Sequence, residues 1–264
     1  KNIKEKILLI FISSYVTLFC LEVLLNVHTI FFKELSVHFQ YTEYDKRFKK
    51  NPKYVRPIYP HLHGSYFLNI SKSFYPLTGI SMRPTLMCAE SGYWVSYDSD
   101  RFGFNNSDNV WDEDEVDFLL IGDSFVHGDC MEKEFNFAGR IQEYTKKKVI
   151  NLGYGGTGPL IQLAQLKEYG FKVKPQKIIW IYGEGNDLDN LREELNIPIM
   201  KKYLDKNFSQ ELILKQKEID QFLLGLLKKE YTLNSKKKEL EKNQRRDFFL
   251  KNLIKLYMVR KNTI

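Results

Sequence analysis

Apolar residues in the middle of the chain form short uninterrupted runs that alternate with helical patterns. The strand-like runs are VDFLLIG (116–122), KVINLG (148–153) and KIIWIYG (177–183). Between and after them lie three helix-like stretches, EKEFNFAGRIQEYTKK (132–147), PLIQLAQLKEYGF (159–171) and EGNDLDNLREEL (184–195). Continuous apolar strands that alternate with helices are typical of a parallel sheet covered on both faces. The pattern therefore predicts an α/β fold.

A longer apolar run near the N-terminus changes this picture. It extends from Ile7 to about Val27, is interrupted by Glu22, and follows three lysines. Its length suits a bilayer crossing, and the flanking lysines favour a cytoplasmic N-terminus. We therefore predict a single-pass anchor over residues 1–30 in the plasma membrane, with the main domain on the extracytoplasmic side. A cleaved signal peptide and a buried core helix are the alternatives.

The rest of the chain divides by composition into two parts. Residues 31–110 are predicted to be a linker and an irregular lead-in region, in which DSDRFGFNNSDN (98–109) forms an ordered loop. Residues 111–264 are predicted to be the main domain. Its segment 201–264 is helical and basic, with 17 Lys and Arg against 8 Asp and Glu. The segment is interpreted as a solvated helical face; binding to anionic lipid is an alternative, and no nucleic-acid motif is present.

Cysteine and histidine usage limits the metal and redox chemistry of the chain. Cys88 and Cys130 are the only plausible disulfide pair, because Cys20 lies in the apolar run; two free thiols are an equal alternative. No CxxC motif indicates a zinc site. His61 and His63 have the spacing of a metal pair, but a surface loop explains them better. No metal and no cofactor are predicted.

Each predicted strand is followed by a polar loop that contains glycine. The loops are Gly122–Phe125, Asn151–Gly156 and Gly183–Asp187. The carboxyl ends of parallel strands lie at one edge of a sheet, so these loops are expected on a common rim. A serine hydroxyl, backbone N–H groups and an asparagine amide are what an acyl-transfer site requires. A phosphate-binding loop is excluded, since neither GxxxxGK[ST] nor the dinucleotide spacing occurs.

The three loops resemble the conserved blocks of the SGNH (GDSL-type) hydrolase superfamily. IGDSFVHG resembles block I, NLGYGG block II and GEGNDL block III, so the resemblance covers about residues 116–190. It implies a flavodoxin-like three-layer αβα sandwich. It also implies that Ser124 is the nucleophile and that the N–H groups of Ser124 and Gly156, together with the Asn186 amide, bind the oxyanion. Further residues expected at the substrate rim are Asp123, His127, Gly153, Glu184 and Asp187.

DSDRFGFNN and EGNDL resemble a membrane-anchored bacterial subset of the family that is associated with surface-glycan modification. The resemblance therefore implies that the chain removes an acyl group, such as O-acetyl, from a glycan or a similar ester. An O-acyltransferase acting on glycans is an alternative with the same first half-reaction. The other alternative is a catalytically inactive SGNH-like protein with a glycan-binding or assembly role. The oligomeric state stays open.

One expected residue is absent from the pattern. The family's general base is a histidine in a C-terminal Asp-x-x-His block, and no histidine follows His127 in this sequence. We therefore expect that the chain ends before that block. His127, three residues after Ser124, is a candidate substitute base, although a rim or capping role explains it better.

Overall fold

The computed structural model describes residues 3–33, 47, 50–51, 53–60, 67, 74–88 and 93–233, and the side chains of 4 and 26–33 are excluded. The chain divides into two compact units, one of Lys46–Leu227 and one of Lys1–Asp45 with Lys228–Ile264. His61, His63 and residues 234–264 of the basic segment lie outside the described residues.

The N-terminal unit contains one long helix, α1 (Ile3–Lys33). Its segment Glu5–Leu25 is long and apolar enough to cross a membrane. Large apolar side chains such as Leu8 and Phe11 are 60% and 70% exposed. A helix at the core of a soluble protein would bury such side chains. Signal sequences near an N-terminus share this length and composition.

The unit Lys46–Leu227 is mixed α/β and contains a parallel sheet, which confirms the predicted fold class. An antiparallel pair, β1 (Pro84–Leu86) and β2 (Ser96–Asp98), precedes the sheet. The sheet consists of β3 (Val116–Ile121), β4 (Val149–Asn151) and β5 (Pro175–Trp180), in the order β4-β3-β5.

Helices connect the strands and continue after them. They are α2 (Ser124–His127), α3 (Phe137–Thr145), α4 (Pro159–Tyr169), α5 (Asp187–Glu194) and α6 (Pro198–Lys201). A further helix, α7, begins at residue 216. Short 3-10 turns occur at Asp108–Asp112, Gly170–Val173, Lys202–Leu204 and Leu212–Lys215.

The side chains of β3 alternate between two apolar clusters. Leu119 and Ile121 belong to the large core that includes Leu160 of α4, whereas Leu120 packs with Ala138 of α3. Because successive strand residues point to opposite faces, α3 and α4 lie on opposite sides of the sheet.

The third strand differs from its prediction as a buried strand. β5 pairs only with β3 among the described residues, and Ile178 and Trp180 are 42% and 45% exposed. It is therefore an edge strand here. The apolar run alone gave no indication of this, because a central strand has the same sequence pattern.

Candidate active site

Three loops meet where the parallel strands end. β3 stops at Ile121, directly before Gly122–Ser124, and β4 stops at Asn151, the first residue of the second loop. β5 stops at Trp180, three residues before Gly183. The register pairs Leu120 with Asn151 and with Ile179, so the loops leave the sheet at the same level. The predicted convergence of the loops is therefore present.

The first loop places Ser124 at the first turn of a helix. Asp123 is the N-cap of α2, and its Oδ1 accepts a hydrogen bond from the Phe125 amide at 2.9 Å. Capping by aspartate is favourable because it satisfies one of the free N–H groups of a helix start. Ser124 is half-buried, and neither its hydroxyl nor its backbone N–H has a hydrogen-bond donor or acceptor partner among the described residues.

The second loop is fixed directly against the backbone of α2. The Asn151 amide donates to the Val126 carbonyl at 2.7 Å, and its Oδ1 accepts from the Gly153 N–H at 2.8 Å. A Cβ atom on Gly153 would lie 2.6 Å from the His127 nitrogen and from the Val126 carbonyl carbon. Only glycine therefore fits at position 153, and Gly153 is a buried packing residue rather than an exposed rim residue.

Gly156 lies at the turn of the same loop. Its φ of 67° is in the left-handed region, which glycine adopts without the steric cost of a Cβ atom. The Tyr154 N–H donates to the Gly122 carbonyl at 3.2 Å, which ties this turn to the first loop. Gly156 is half-buried, and its N–H donates to no other described residue. The N–H group predicted to bind an oxyanion is thus not used by the fold.

The third loop contacts the first through side chains. The Asn186 amide donates to Asp123 Oδ2 at 3.2 Å, so a single buried carboxylate holds both the start of α2 and the asparagine predicted to bind the oxyanion. Asp187 is buried and accepts from the Gly183 N–H at 2.7 Å. Its burial and the nearby charge of Asp123 raise the pKa of the Asp187 carboxyl. Glu184 is exposed on this loop.

A carboxylate that the sequence analysis did not single out joins the second and third loops. Glu194, the last residue of α5, accepts hydrogen bonds from the N–H groups of Gly158, Leu160 and Ile161 at the start of α4. Burial raises the pKa of Glu194 to about 7, although these three donors act in the opposite direction. The only sequence signal was an acidic residue at the C-terminal end of a predicted helix. A carboxylate is unfavourable there, because the helix dipole is negative at that end.

His127 lies inside the protein and not at the rim. It is fully buried; its ring stacks on Tyr154, and Nε2 lies 3.1 Å from the Tyr97 hydroxyl. Nδ1 lies 2.7 Å from the Asp129 carboxylate and accepts a hydrogen bond from the Gly155 N–H at 3.3 Å. The Tyr59 hydroxyl donates to the other Asp129 oxygen at 3.1 Å. Both nitrogens are therefore engaged away from Ser124.

The covalent link beside this network is a disulfide between Cys88 and Cys130. It answers the question that the sequence left open between a disulfide and two free thiols. The bond connects the segment after β1 to the residue after Asp129.

The loop before β3 is hydrogen-bonded to the second loop of the site. Asp100 is buried and accepts hydrogen bonds from the N–H groups of Phe102 and Phe104, from the Asn106 amide and from Trp111 Nε1. Asn106 also exchanges two hydrogen bonds with the Asn151 backbone, at 2.8 and 2.9 Å. The Asn106 side chain therefore pairs with the backbone of the last residue of β4. Burial raises the pKa of Asp100 to about 6, against the effect of its four donors.

Within the described part of the chain, no group of three or more His, Cys, Asp or Glu side chains could hold a metal ion. Comparison with known proteins finds no matching family model, no matching curated protein and no matching solved structure. The sequence motifs and the geometry of the three loops are therefore the features that indicate a function.

Proposed function

We propose that the chain is an SGNH-type ester hydrolase with a flavodoxin-like αβα sandwich and Ser124 as its nucleophile. The substrate is an acyl ester, such as an O-acetyl group, on a cell-surface glycan. Helix α1 anchors the protein in the plasma membrane, and the unit Lys46–Leu227 lies on the extracytoplasmic side.

The supporting observation is the unused hydrogen-bonding capacity around Ser124. The Ser124 hydroxyl and N–H and the Gly156 N–H have no described partner, although the surrounding loops are extensively hydrogen-bonded. Asn186 is tied to the same loop through Asp123. Free donors at a rim, held by a rigid scaffold, suit charge that develops in a transition state.

In the proposed reaction, Ser124 Oγ attacks the acyl carbonyl while a general base takes the hydroxyl proton. The carbonyl oxygen gains negative charge and accepts hydrogen bonds from the N–H groups of Ser124 and Gly156 and from the Asn186 amide. Collapse of the intermediate expels the sugar oxygen, which is protonated, and leaves an acyl-serine. Water then releases the carboxylic acid; a sugar hydroxyl in its place gives acyl transfer.

His127 is not the base in this scheme. Its two ring nitrogens are occupied by Asp129 and by the Tyr97 hydroxyl, and its ring has no contact with solvent. A base must lie within hydrogen-bond reach of the serine hydroxyl. The proposal therefore requires a histidine other than His127, as the block pattern of the SGNH family implies.

A second candidate function follows from the same observation. If no base reaches Ser124, the rim binds an acylated glycan without cleaving it. The two candidates differ in turnover and not in ligand class, so an activity measurement separates them.

The test is ester hydrolysis by the full-length protein in detergent, with p-nitrophenyl acetate and an O-acetylated polysaccharide as substrates. Ser124→Ala is expected to abolish acetate release, and Asn186→Ala to lower kcat by about 10²–10³-fold. Ser96→Ala, at an exposed serine of β2, is the matched control and should retain full activity. Absence of turnover together with retained polysaccharide binding would reject hydrolysis in favour of the binding function.

A further inference from the structure

A second polar cleft lies away from the three loops, beside the outer edge of β4. One side is formed by residues 105–113 and the other by α3 with its flanking residues 133–149. Its volume is 380 Å³, within the range of small-molecule sites. None of the residues from the three rim loops lines it.

The cleft is strongly basic. It is lined by four lysines, at positions 133, 146, 147 and 148, and by one carboxylate, Glu113. Lys148 pairs with Glu113 at 2.5 Å, and Lys147 pairs with Asp117 at 3.0 Å. Lys133 and Lys146 have no carboxylate partner among the described residues.

Lys133 is a partly buried cation of the cleft whose only hydrogen-bond partner among the described residues is a neutral hydroxyl. It reaches across the cleft, and its Nζ donates to the Ser107 hydroxyl at 2.6 Å. Burial lowers the pKa of the Lys133 ammonium, although the charges of Glu134, Asp100 and Asp98 act in the opposite direction. A neutral hydroxyl compensates a partly desolvated charge less well than an anion does, because charge-assisted hydrogen bonds are the stronger ones.

Two buried amide side chains of the cleft wall have unused hydrogen-bonding atoms. Asn105 is 2% exposed and donates to the His127 carbonyl, yet its Oδ1 has no partner. Asn136 is 1% exposed and accepts from the Gly139 N–H, yet its Nδ2 has no partner. One unused acceptor and one unused donor fit a hydroxyl group, which both donates and accepts.

We propose that this cleft binds an anionic sugar, a hydroxyl-bearing ring that carries a phosphate or a carboxylate. The anionic group pairs with Lys133 and Lys146. Asn105 Oδ1 and Asn136 Nδ2 are shielded from solvent in the unliganded protein, so these amides turn toward the ligand, and a ring hydroxyl supplies the hydrogen bonds that they lack. The site is separate from the Ser124 rim and does not depend on hydrolysis there.

The test is isothermal titration of the full-length protein in detergent with glucose 6-phosphate and glucuronate, which distinguish a phosphate from a carboxylate. Glucose and inorganic phosphate are titrated at the same ionic strength. At least one of the charged sugars is expected to bind saturably and more tightly than both glucose and phosphate.

Lys133→Gln combined with Lys146→Gln should weaken binding of the charged sugar by about tenfold or more, since each removes a charge-assisted contact. Lys146→Gln alone changes an exposed side chain and is expected to weaken binding without affecting folding. Lys201→Gln, at an exposed lysine outside the cleft, is the matched control.

Three results would overturn the proposal. One is no saturable binding of either charged sugar, which would leave ordered water as the partner of the two asparagines. Another is binding of inorganic phosphate as tight as that of both charged sugars, which would remove any role for the sugar. The last is unchanged affinity in the double lysine variant.

Discussion

Replacement of Glu194 by glutamine tests whether burial or hydrogen bonding dominates the pKa of the carboxylate that joins the second and third loops. Glu194 is 3% exposed and accepts from three backbone N–H groups at the start of α4. Burial nevertheless raises its pKa from 4.5 to about 7. Folding therefore stabilises the protonated form of Glu194 relative to the ionised form.

The sign of the pH dependence follows from proton linkage. Because the folded protein holds this proton more tightly than the unfolded chain, its stabilising contribution is complete below about pH 4.5 and is lost as the pH rises through about 7. A pKa difference of 2.5 units corresponds to about 3 kcal/mol of unfolding free energy. Glu194→Gln removes this titration, so the stability of the wild type relative to the variant should fall by about 3 kcal/mol from about pH 4 to about pH 8.

Urea denaturation of the full-length protein in detergent, followed by tryptophan fluorescence at several pH values, measures this difference. Subtraction of the variant cancels the contribution of Asp100, whose pKa is also raised. Glu132→Gln, at an exposed glutamate, is the control and should leave the pH dependence unchanged. The reasoning would be refuted if the stability of the wild type relative to Glu194→Gln stayed constant or rose with increasing pH. Either result would mean that burial does not outweigh the three hydrogen-bond donors.

Two further predictions concern packing and hydrogen bonding near the site. Gly153→Ala should lower the unfolding free energy by about 2 kcal/mol or more, because the new Cβ atom would lie 2.6 Å from the α2 backbone. The control, Gly185→Ala, places its Cβ atom more than 4 Å from any neighbour and should be nearly neutral. Equal losses of stability in urea denaturation would contradict this account. Trp111→Phe should cost about 2 kcal/mol in the same assay, since it removes a 2.7 Å hydrogen bond to buried Asp100, and an unchanged midpoint would disprove that role.

The sheet and the rim were predictable because their signals are local. Each apolar run is followed directly by its own loop, so the order of strands and loops can be read from the sequence. Ser124 at the first turn of a helix and Gly156 at a left-handed turn follow from short segments in the same way. The contact between Asp123 and Asn186 follows only from the parallel topology, which brings strand ends together.

The remaining features depend on contacts between distant segments. Glu194 caps a helix that begins 35 residues before it, and no local pattern specifies this. His127 lies three residues from Ser124, a spacing that makes neighbours on a helix, yet Tyr97 and Asp129 hold its ring in the interior. The pairing of Cys88 with Cys130 was one of two alternatives until the fold brought these residues together.

The most direct test of the central claim, that Ser124 is an activated nucleophile, is covalent labelling of the full-length protein with a fluorophosphonate. Mass spectrometry after proteolysis is expected to find the adduct on Ser124 alone, and none in the Ser124→Ala variant. Absence of an adduct on Ser124, under conditions where the protein is folded and still binds an acylated glycan, would contradict the claim and leave the rim as a binding site only.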